Sequence, residues 1–456
     1  MVDVTTEHPR YTARKAMWSV YRDLYEGGER FRANATQYLV PRHKEPAQVY
    51  HERLERAYYE NYIGSIIDWF AATLFRREPM LSFSGGDGPG RRFFCEFTED
   101  CDRRQSNLSD FFRRRLVDAL VAGGSYILVD FPRAERPPAN RAEEDAWGVS
   151  RAYLVPYSAE ELINWSEDED GAYEWVVLRT TRLRQEEKGP VTEVWWRYFD
   201  RENYKVFRGV QRGGRVTPEP AGEGRHALAE LGRVPLFSLD LTDGLWLMNR
   251  AAQLQLEHFN KSNALGWALT MGLFAMPVIY SRREFRQMIG ESYYIQLEPE
   301  DKFGWTEPEG HVYQIAVDNL TRLKDEIYRV CYLMPQARNS DAPASGLSKQ
   351  RDFTTTQEVL RAYGDLVKDT MKRVLRSIAA ARRDDLVVDV SGLDEFDIGD
   401  FTTELEDARK LLALGIPSDT LKKEIFKKLV HKYLCDARQE IKDRVSEEIE
   451  RGFQAA

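Results

Sequence analysis

The chain has 456 residues, 42% of them hydrophobic, and carries 65 Lys and Arg against 74 Asp and Glu, a net charge of -9. That length can bury more than one core, and that balance excludes a disordered polymer and a protein that grips nucleic acid over most of its surface. Cys95, Cys101, Cys331 and Cys435 form no CxxC pair, which excludes a zinc module or a disulfide framework and leaves reduced, buried thiols in a cytoplasmic product.

The N-terminal stretch MVDVTTEHPRYTARK lacks the apolar core of a signal peptide. Helical spacing then runs through Ala13–Leu24 and stops at Gly27–Gly28. Gln48–Phe75 reads as one strong helix with Leu54, Tyr58, Tyr62, Ile66, Trp69, Phe70 and Leu74 on its apolar stripe, closed by Arg76–Pro79. The Gly-rich run Ser84–Arg92 (SGGDGPGRR) reads as a surface turn, because no strand leads in and no Gly-Lys-Ser/Thr follows. Leu108–Ala122 is expected as a helix capped by Ser106 or Asn107 and ended by Gly123–Gly124, with Ser125–Phe131 as a buried strand. Ala152–Val155 is strand-like, and Ser158–Glu161 has the capping-box pattern that opens a short helix to Trp165.

From Tyr173 the character changes. Trp175–Leu183, Val191–Phe199, Tyr204–Val210 and Val234–Leu239 are rich in Val, Thr, Trp and Tyr and are expected to form one antiparallel sheet. Trp195–Trp196 and Tyr198–Phe199 should pack across strands rather than stack bases, since basic charge is not concentrated here. Gly244–Thr270 is a long helix. The uncharged stretch Ser262–Ser281 is long enough to span a bilayer. It nonetheless holds Asn263, Gly266, Thr270, Gly272 and Pro277 between charged flanks, so burial in a subunit interface is expected instead.

Strands are expected at Pro277–Tyr280, Tyr293–Leu297 and Phe303–Trp305. A helix Asp318–Met334 follows, stopped by Pro335. Gln336–Gln350 (QARNSDAPASGLSKQ) has no apolar period and reads as a mobile loop. Arg351–Arg382 is a long helix of roughly 45–50 Å. Leu386–Val390 is a strand, and the tail is helical over Thr402–Leu414, Ser418–Leu434 and Asp436–Arg451, with Gly415 and Pro417 at the first break.

Motifs of catalysis are missing from the sequence. It contains no P-loop, no Gly-x-Ser-x-Gly elbow and no pair of histidines at helical spacing. The acidic run Glu167–Asp170 reads as a solvated turn, and Asp240, Asp243, Asp397 and Asp400 as caps and loop residues. No catalytic, cofactor-binding or metal-ligating residue is assigned, and no enzyme activity is expected. The competing reading is a metal-dependent nucleic-acid-processing enzyme built on scattered carboxylates; a membrane-anchored assembly protein built on Ser262–Ser281 is a third.

The stretches Tyr62–Pro79 (YIGSIIDWFAATLFRREP), Leu120–Pro132 (LVAGGSYILVDFP), Val155–Trp165 (VPYSAEELINW) and Arg233–Tyr280, and above all the order of parts, resemble the portal proteins of tailed bacteriophages. The resemblance covers most of the chain. It implies an α+β, predominantly helical portal fold with wing, stem, clip and short crown. On this chain it implies a wing at 1–243, with the sheet at about 173–239, and a first stem helix at 244–272. A clip at 273–312, a second stem helix at 313–335 and a tunnel loop at 336–350 follow. The long wing helix and strand then occupy 351–401, and a helical crown 402–456. The resemblance further implies a closed homo-oligomeric ring, a dodecamer in this family, at one capsid vertex of a virion assembled in the bacterial cytoplasm. Its implied partners are the terminase large subunit, a head–tail adaptor, major capsid and scaffold proteins, and double-stranded DNA passing without sequence specificity; no membrane and no cofactor are implied. Candidate DNA-facing residues are Arg338, Asn339, Ser340, Lys349 and Arg351. Candidate clip docking residues are Arg282, Arg283, Glu284, Arg286 and Glu291. An acidic protein suits such a channel, because fixed cations would hold phosphates through counterion release.

Overall fold

The computed structural model describes residues 2–85, 88–133, 139, 141–186, 189–212, 215–272, 276–281, 300, 302–306, 310–333, 346–394, 401–434 and 437–454. The chain is a mixture of helix and sheet, 52% and 24% respectively. It divides into two compact units. The first comprises Met1–Arg22, Ser65–Asn249 and Asp341–Ala456, the second Asp23–Gly64 and Arg250–Ser340.

In chain order the N-terminal elements are α1 (Pro9–Glu26), α2 (Gly28–Asn34), α3 (Ala47–Glu55), α4 (Tyr62–Leu74), β1 (Met80–Gly85), α5 (Gly88–Glu99), α6 (Leu108–Ala122), β2 (Gly124–Asp130) and α7 (Arg141–Ala146). The strands β3 (Tyr153–Ser158), β4 (Leu162–Glu167), β5 (Tyr173–Glu186), β6 (Gly189–Asp200), β7 (Asn203–Arg212), β8 (Arg215–Arg225) and β9 (Leu236–Asp240) follow. Then come α8 (Leu247–Gly272), β10 (Met276–Tyr280), β11 (Lys302–Thr306), α9 (Gly310–Val330), α10 (Gly346–Arg382), β12 (Leu386–Ser391), α11 (Phe401–Ala413), α12 (Asp419–Tyr433) and α13 (Gln439–Gln454).

The first unit is organised on a five-stranded antiparallel sheet, β4-β5-β6-β7-β8, and a three-stranded one, β3-β2-β9. Period-two alternation gives the larger sheet two buried faces. Val176, Leu178, Phe199 and Tyr204 meet Leu128, Tyr157 and Leu236 of the smaller sheet. Val177 and Trp196, on the opposite face, meet Tyr11 and Trp18 of α1. The outer edges are closed by different means. His8 N–H donates to the Ile163 carbonyl of β4 at 2.8 Å. On β8, Pro218 and Pro220 bring no N–H to the edge, which discourages a further strand.

Helix α6 shows how local chemistry sets a boundary. Asn107 accepts from Asp110 N–H at its start, and Gly123 closes it at φ 88. Its last carbonyls, without partners inside the helix, are taken by two indoles: Trp246 Nε1–H donates to Val121 at 2.9 Å and Trp18 Nε1–H to Ala122 at 2.8 Å. A side chain at position 123 would strike the Trp246 ring at 3.0 Å, so glycine serves both the turn and the packing. The long helix α10 buries Leu360, Tyr363, Val367, Met371, Val374, Leu375 and Ile378 completely, one stripe at helical spacing. β1 pairs with β12 as a separate ribbon whose outer edge is held at Leu81, where the buried Gln439 amide both accepts from the N–H and donates to the carbonyl.

Several sequence expectations change. Gln48–Phe75 is two helices rather than one, because residues 58–61 are held by bonds to other segments of the second unit, described below. Within Ser84–Arg92, Ser84 and Gly85 end β1 and Gly88–Arg92 begin α5, where Pro89 occupies a first-turn position that needs no N–H; residues 86 and 87 lie outside the described residues. The Glu161 carboxylate does accept from Ser158, from its N–H at 2.8 Å and its hydroxyl at 3.2 Å, but the two residues close the turn between β3 and β4 rather than open a helix. Val234–Leu239 belongs to the sheet of β2, not to that of β5–β7, and Arg215–Arg225 supplies the missing strand. Cys101 and Cys331 are buried free thiols, Cys95 is partly exposed, and Cys435 lies outside the described residues.

Candidate functional site: an antiparallel helix pair around a strand insert

In the second unit, α8 and α9 run antiparallel. Three bonds fix this from one end to the other. Arg250 Nε–H donates to the Val330 carbonyl at 2.9 Å, Lys261 Nζ–H to Asn319 Oδ1 at 3.1 Å, and Tyr313 O–H to the Ala268 carbonyl at 3.3 Å. As residue number rises on one helix it falls on the other. At 1.5 Å per residue the pair extends about 39 Å and about 32 Å respectively. Between them in sequence lies the antiparallel pair β10–β11, with Met276 opposite Thr306 and Tyr280 opposite Lys302.

Helix α9 ends earlier than Pro335 would require. Tyr332 adopts a left-handed φ of 61, and Leu333 N–H reaches back to the Tyr328 carbonyl at 3.0 Å. The Arg250 guanidinium takes the Val330 carbonyl and lies 4.6 Å from the centre of the Tyr332 ring. The start is also earlier than expected, at Gly310, so residues 310–312 of the expected clip are helical.

Three amide side chains on α8 hold the irregular chain between α2 and α4. Gln255 accepts from Ile63 N–H at 3.2 Å and donates to the Glu60 carbonyl at 2.7 Å. Asn260 accepts from Val40 N–H at 2.9 Å and donates to the Tyr38 carbonyl at 3.0 Å. Asn263 accepts from Tyr58 N–H and donates to the Tyr58 carbonyl, both at 3.0 Å. Each amide thus stands in for a neighbouring strand, satisfying one main-chain donor and one acceptor. Asn61 completes the set by accepting from Gly64 N–H at 2.8 Å as the cap of α4. These bonds are the reason that α3 and α4 do not merge.

An aromatic group packs beside them: Phe31 stacks on Tyr59 at 4.0 Å and meets Phe259 edge-on at 4.9 Å. His258 is 3% exposed, its Nδ1 has no hydrogen-bond partner among the described residues, and its ring stands edge-on to Tyr62 at 5.0 Å. Burial pulls the His258 pKa below that of a free imidazole, and Lys324 adds to this against the opposing pull of Glu60. Burial also pushes the Cys331 thiol up to about 12, which makes it a packing group rather than a nucleophile.

The expected docking residues Arg282, Arg283, Glu284, Arg286 and Glu291 lie outside the described residues, as do Arg338, Asn339, Ser340 and the expected strand 293–297. Lys349 and Arg351 fall on the helical backbone of α10, which begins at Gly346. The loop expectation is therefore too long by five residues, since Leu347, Lys349 and Gln350 are good helix formers and outweigh the Gly and Ser that suggested a loop. Among the described residues no helix is long and apolar enough to cross a membrane, and no group of His, Cys, Asp and Glu stands together to hold a metal ion. In the Glu167–Asp170 run, Glu167 ends β4 and the residues after it turn, closed by Gly171 at φ 77, with Asp168 bound to Arg201 at 2.5 Å. Sequence reasoning missed Gln255, Asn260 and Asn263; their only signal is three amides on one helix.

Comparison with known proteins gives the following. No protein-family model matches the sequence, and none of the curated proteins matches it. Solved structures do show likeness. A chain from the neck of an empty gene transfer agent (GTA) particle, computed with C6 symmetry, has TM-score 0.46 and 14% identity over 80% of this chain and 90% of its own. A chain from the virion of a native GTA particle has TM-score 0.40 and 14% identity over 85% and 95%. A third, from the neck of a native GTA particle computed with C12 symmetry, has TM-score 0.38 and 11% identity over 85% and 94%.

Proposed function

We propose that this chain is a portal subunit. Copies close into a ring at one vertex of a phage-like capsid and form the conduit through which DNA is packaged and ejected. The observation that carries the reading is the nested order of the second unit. In sequence, two long helices of opposite direction enclose an antiparallel strand pair, and α10 of the first unit is the next described element. A stem of paired helices with a clip at one end needs this arrangement. It is the order that the sequence resemblance implies, and the contacts between α8 and α9 support it.

In this reading α8 and α9 are the stem helices, and β10 and β11 belong to the clip that docks terminase and then the adaptor. The segment between α9 and α10 faces DNA. The first unit supplies the wing, and α11–α13 the crown. The ring is a heterologous contact repeated until it closes, twelvefold by the family resemblance. Exposed apolar residues on the helix pair, including Leu269, Ile315 and Val317, are suited to burial between neighbouring copies. No catalytic step is assigned to the chain.

Single-particle imaging of the purified protein, with mass determination beside it, tests the proposal. A ring with a central channel is the expected result. A species that stays monomeric under all assembly conditions and cleaves DNA with magnesium overturns it in favour of the nuclease reading.

A further inference from the structure

Strand alternation sorts the charges of the five-stranded sheet. The face that carries Val176, Leu178 and Phe199 continues outward past the core. There β5 and β6 pair Arg182 with Glu193 and Arg184 with Val191, and β7 and β8 pair Arg208 with Glu219 and Arg212 with Arg215. Arg197 and Trp195 lie on the same face. The cations on this distal face are Arg182, Arg184, Arg197, Arg208, Arg212 and Arg215; the carboxylates are Glu186, Glu193 and Glu219. A chain of net charge -9 therefore displays a patch with twice as many cations as anions.

The patch is open to solvent. The side chains of Arg184 and Arg212 are 61% and 70% exposed. Glu193 bridges Arg208 at 2.7 Å and Arg184 at 3.5 Å, and Arg212 pairs with Glu219. Among the described residues, Arg182 and Arg215 make no ion pair.

The chemistry of the patch discriminates between polyanions. Three carboxylates interleaved with the arginines interrupt the continuous run of cations that a regular phosphate backbone would follow. Val191, Val210 and Trp195 share the face, and nothing on a duplex exterior would cover them. Every cation is an arginine, able to hold a carboxylate through two parallel bonds. Arginine and tryptophan without lysine are features of a protein-binding surface. Along β7 the order on this face is Arg208, Val210, Arg212, with alternate residues about 6.8 Å apart. An extended partner segment that alternates carboxylate, apolar group, carboxylate at every second residue has the same repeat.

We propose that the distal face of this sheet is a docking surface for an extended acidic segment of a partner protein. Its carboxylates are taken by Arg182, Arg184, Arg212 and Arg215, and its apolar groups cover Val191 and Val210. The inference rests on the sheet and is independent of the portal reading.

The test is fluorescence anisotropy on the full chain. The probe is a labelled peptide of about 11 residues whose alternate positions run Glu, Val, Glu. A peptide with Lys for Glu and a duplex of about 20 base pairs serve as controls. The native chain should bind the Glu peptide, more weakly as salt rises, and should ignore the Lys peptide. The joint substitution R182E, R184E, R212E and R215E should weaken binding at least about tenfold, which is about 1.4 kcal/mol. A milder set with Gln at the same positions should lose affinity in the same direction with unchanged circular dichroism, so that misfolding is not mistaken for lost docking. Equal affinity in native and substituted chains overturns the proposal. So does capture of the duplex through these arginines with no affinity for the Glu peptide, which would make the surface a phosphate site.

Discussion

Replacing Gln255 by Leu tests whether the amides of α8 hold the second unit together. Gln255 is 0% exposed and serves two main-chain atoms at once. Ile63 is the second residue of α4, so its N–H has no partner inside that helix and depends on Gln255. Leucine nearly matches glutamine in volume, so little cavity forms. What changes is hydrogen bonding: a buried N–H left unpaired costs about 1–3 kcal/mol, and loss of the bond to the Glu60 carbonyl costs about 0.5–1.5 kcal/mol more. The expected loss for Gln255→Leu is therefore about 2–4 kcal/mol. Urea denaturation measures the total, and native-state hydrogen exchange locates it. The Ile63 amide should exchange at least about 30-fold faster, a loss of local protection of about 2 kcal/mol. The Gly64 amide, which Asn61 holds, should change much less. A variant within about 0.5 kcal/mol of the parent, with Ile63 still protected, would refute the reasoning and assign the α4 start to packing alone.

Gly364 lies inside α10, where an added Cβ would collide with the Leu393 carbonyl. Gly364→Ala should therefore destabilise by about 1–3 kcal/mol despite the better helix propensity of alanine, read from the urea midpoint. Burial lowers the pKa of His258 and of His226, so at mildly acidic pH the unfolded chain binds protons that the folded chain does not. The contribution of these two histidines should be fully present well above about pH 6.5 and be lost as pH drops through and below it, and His258→Leu should flatten part of that fall in paired urea titrations. Deleting residues 337–345, which leaves α10 intact, should spare assembly but impair DNA packaging; normal packaging would remove the DNA-facing role from this segment. Charge reversal at Arg282, Arg283 and Glu291 should weaken terminase or adaptor binding in a pull-down while the ring persists, and unchanged binding of both would sink the docking role.

The parts of the fold that were legible in the sequence are those set by local chemistry. Asn107 and Gly123 bracket α6 as their side-chain acceptor and left-handed backbone dictate, and the apolar spacing of Leu360 to Ile378 marks α10 over most of its length. The failures share a cause: a distant partner overrides a local preference. Residues 58–61 read as helix because the hydrophobic period runs through them, but the α8 amides bind their main chain instead. β8 was missed because Pro218 and Pro220 look like breakers; on an edge strand their missing N–H is harmless. The distal arginines were not legible as a group, since the basic and acidic residues of 173–239 are interspersed along the sequence and only strand register sorts them onto one face.

The grip of Gln255, Asn260 and Asn263 is directed wholly at main-chain atoms of Tyr38, Val40, Tyr58, Glu60 and Ile63. A contact of this kind does not read the identity of what it holds. Mutation can rewrite an exposed side chain such as Val40 or Tyr58, 65% and 48% exposed, without loosening the bond, whereas the three amides have no such latitude. Over long divergence, the held segment should lose sequence similarity much faster than it loses its path. A search for distant relatives is better anchored on these three amides than on the residues they hold.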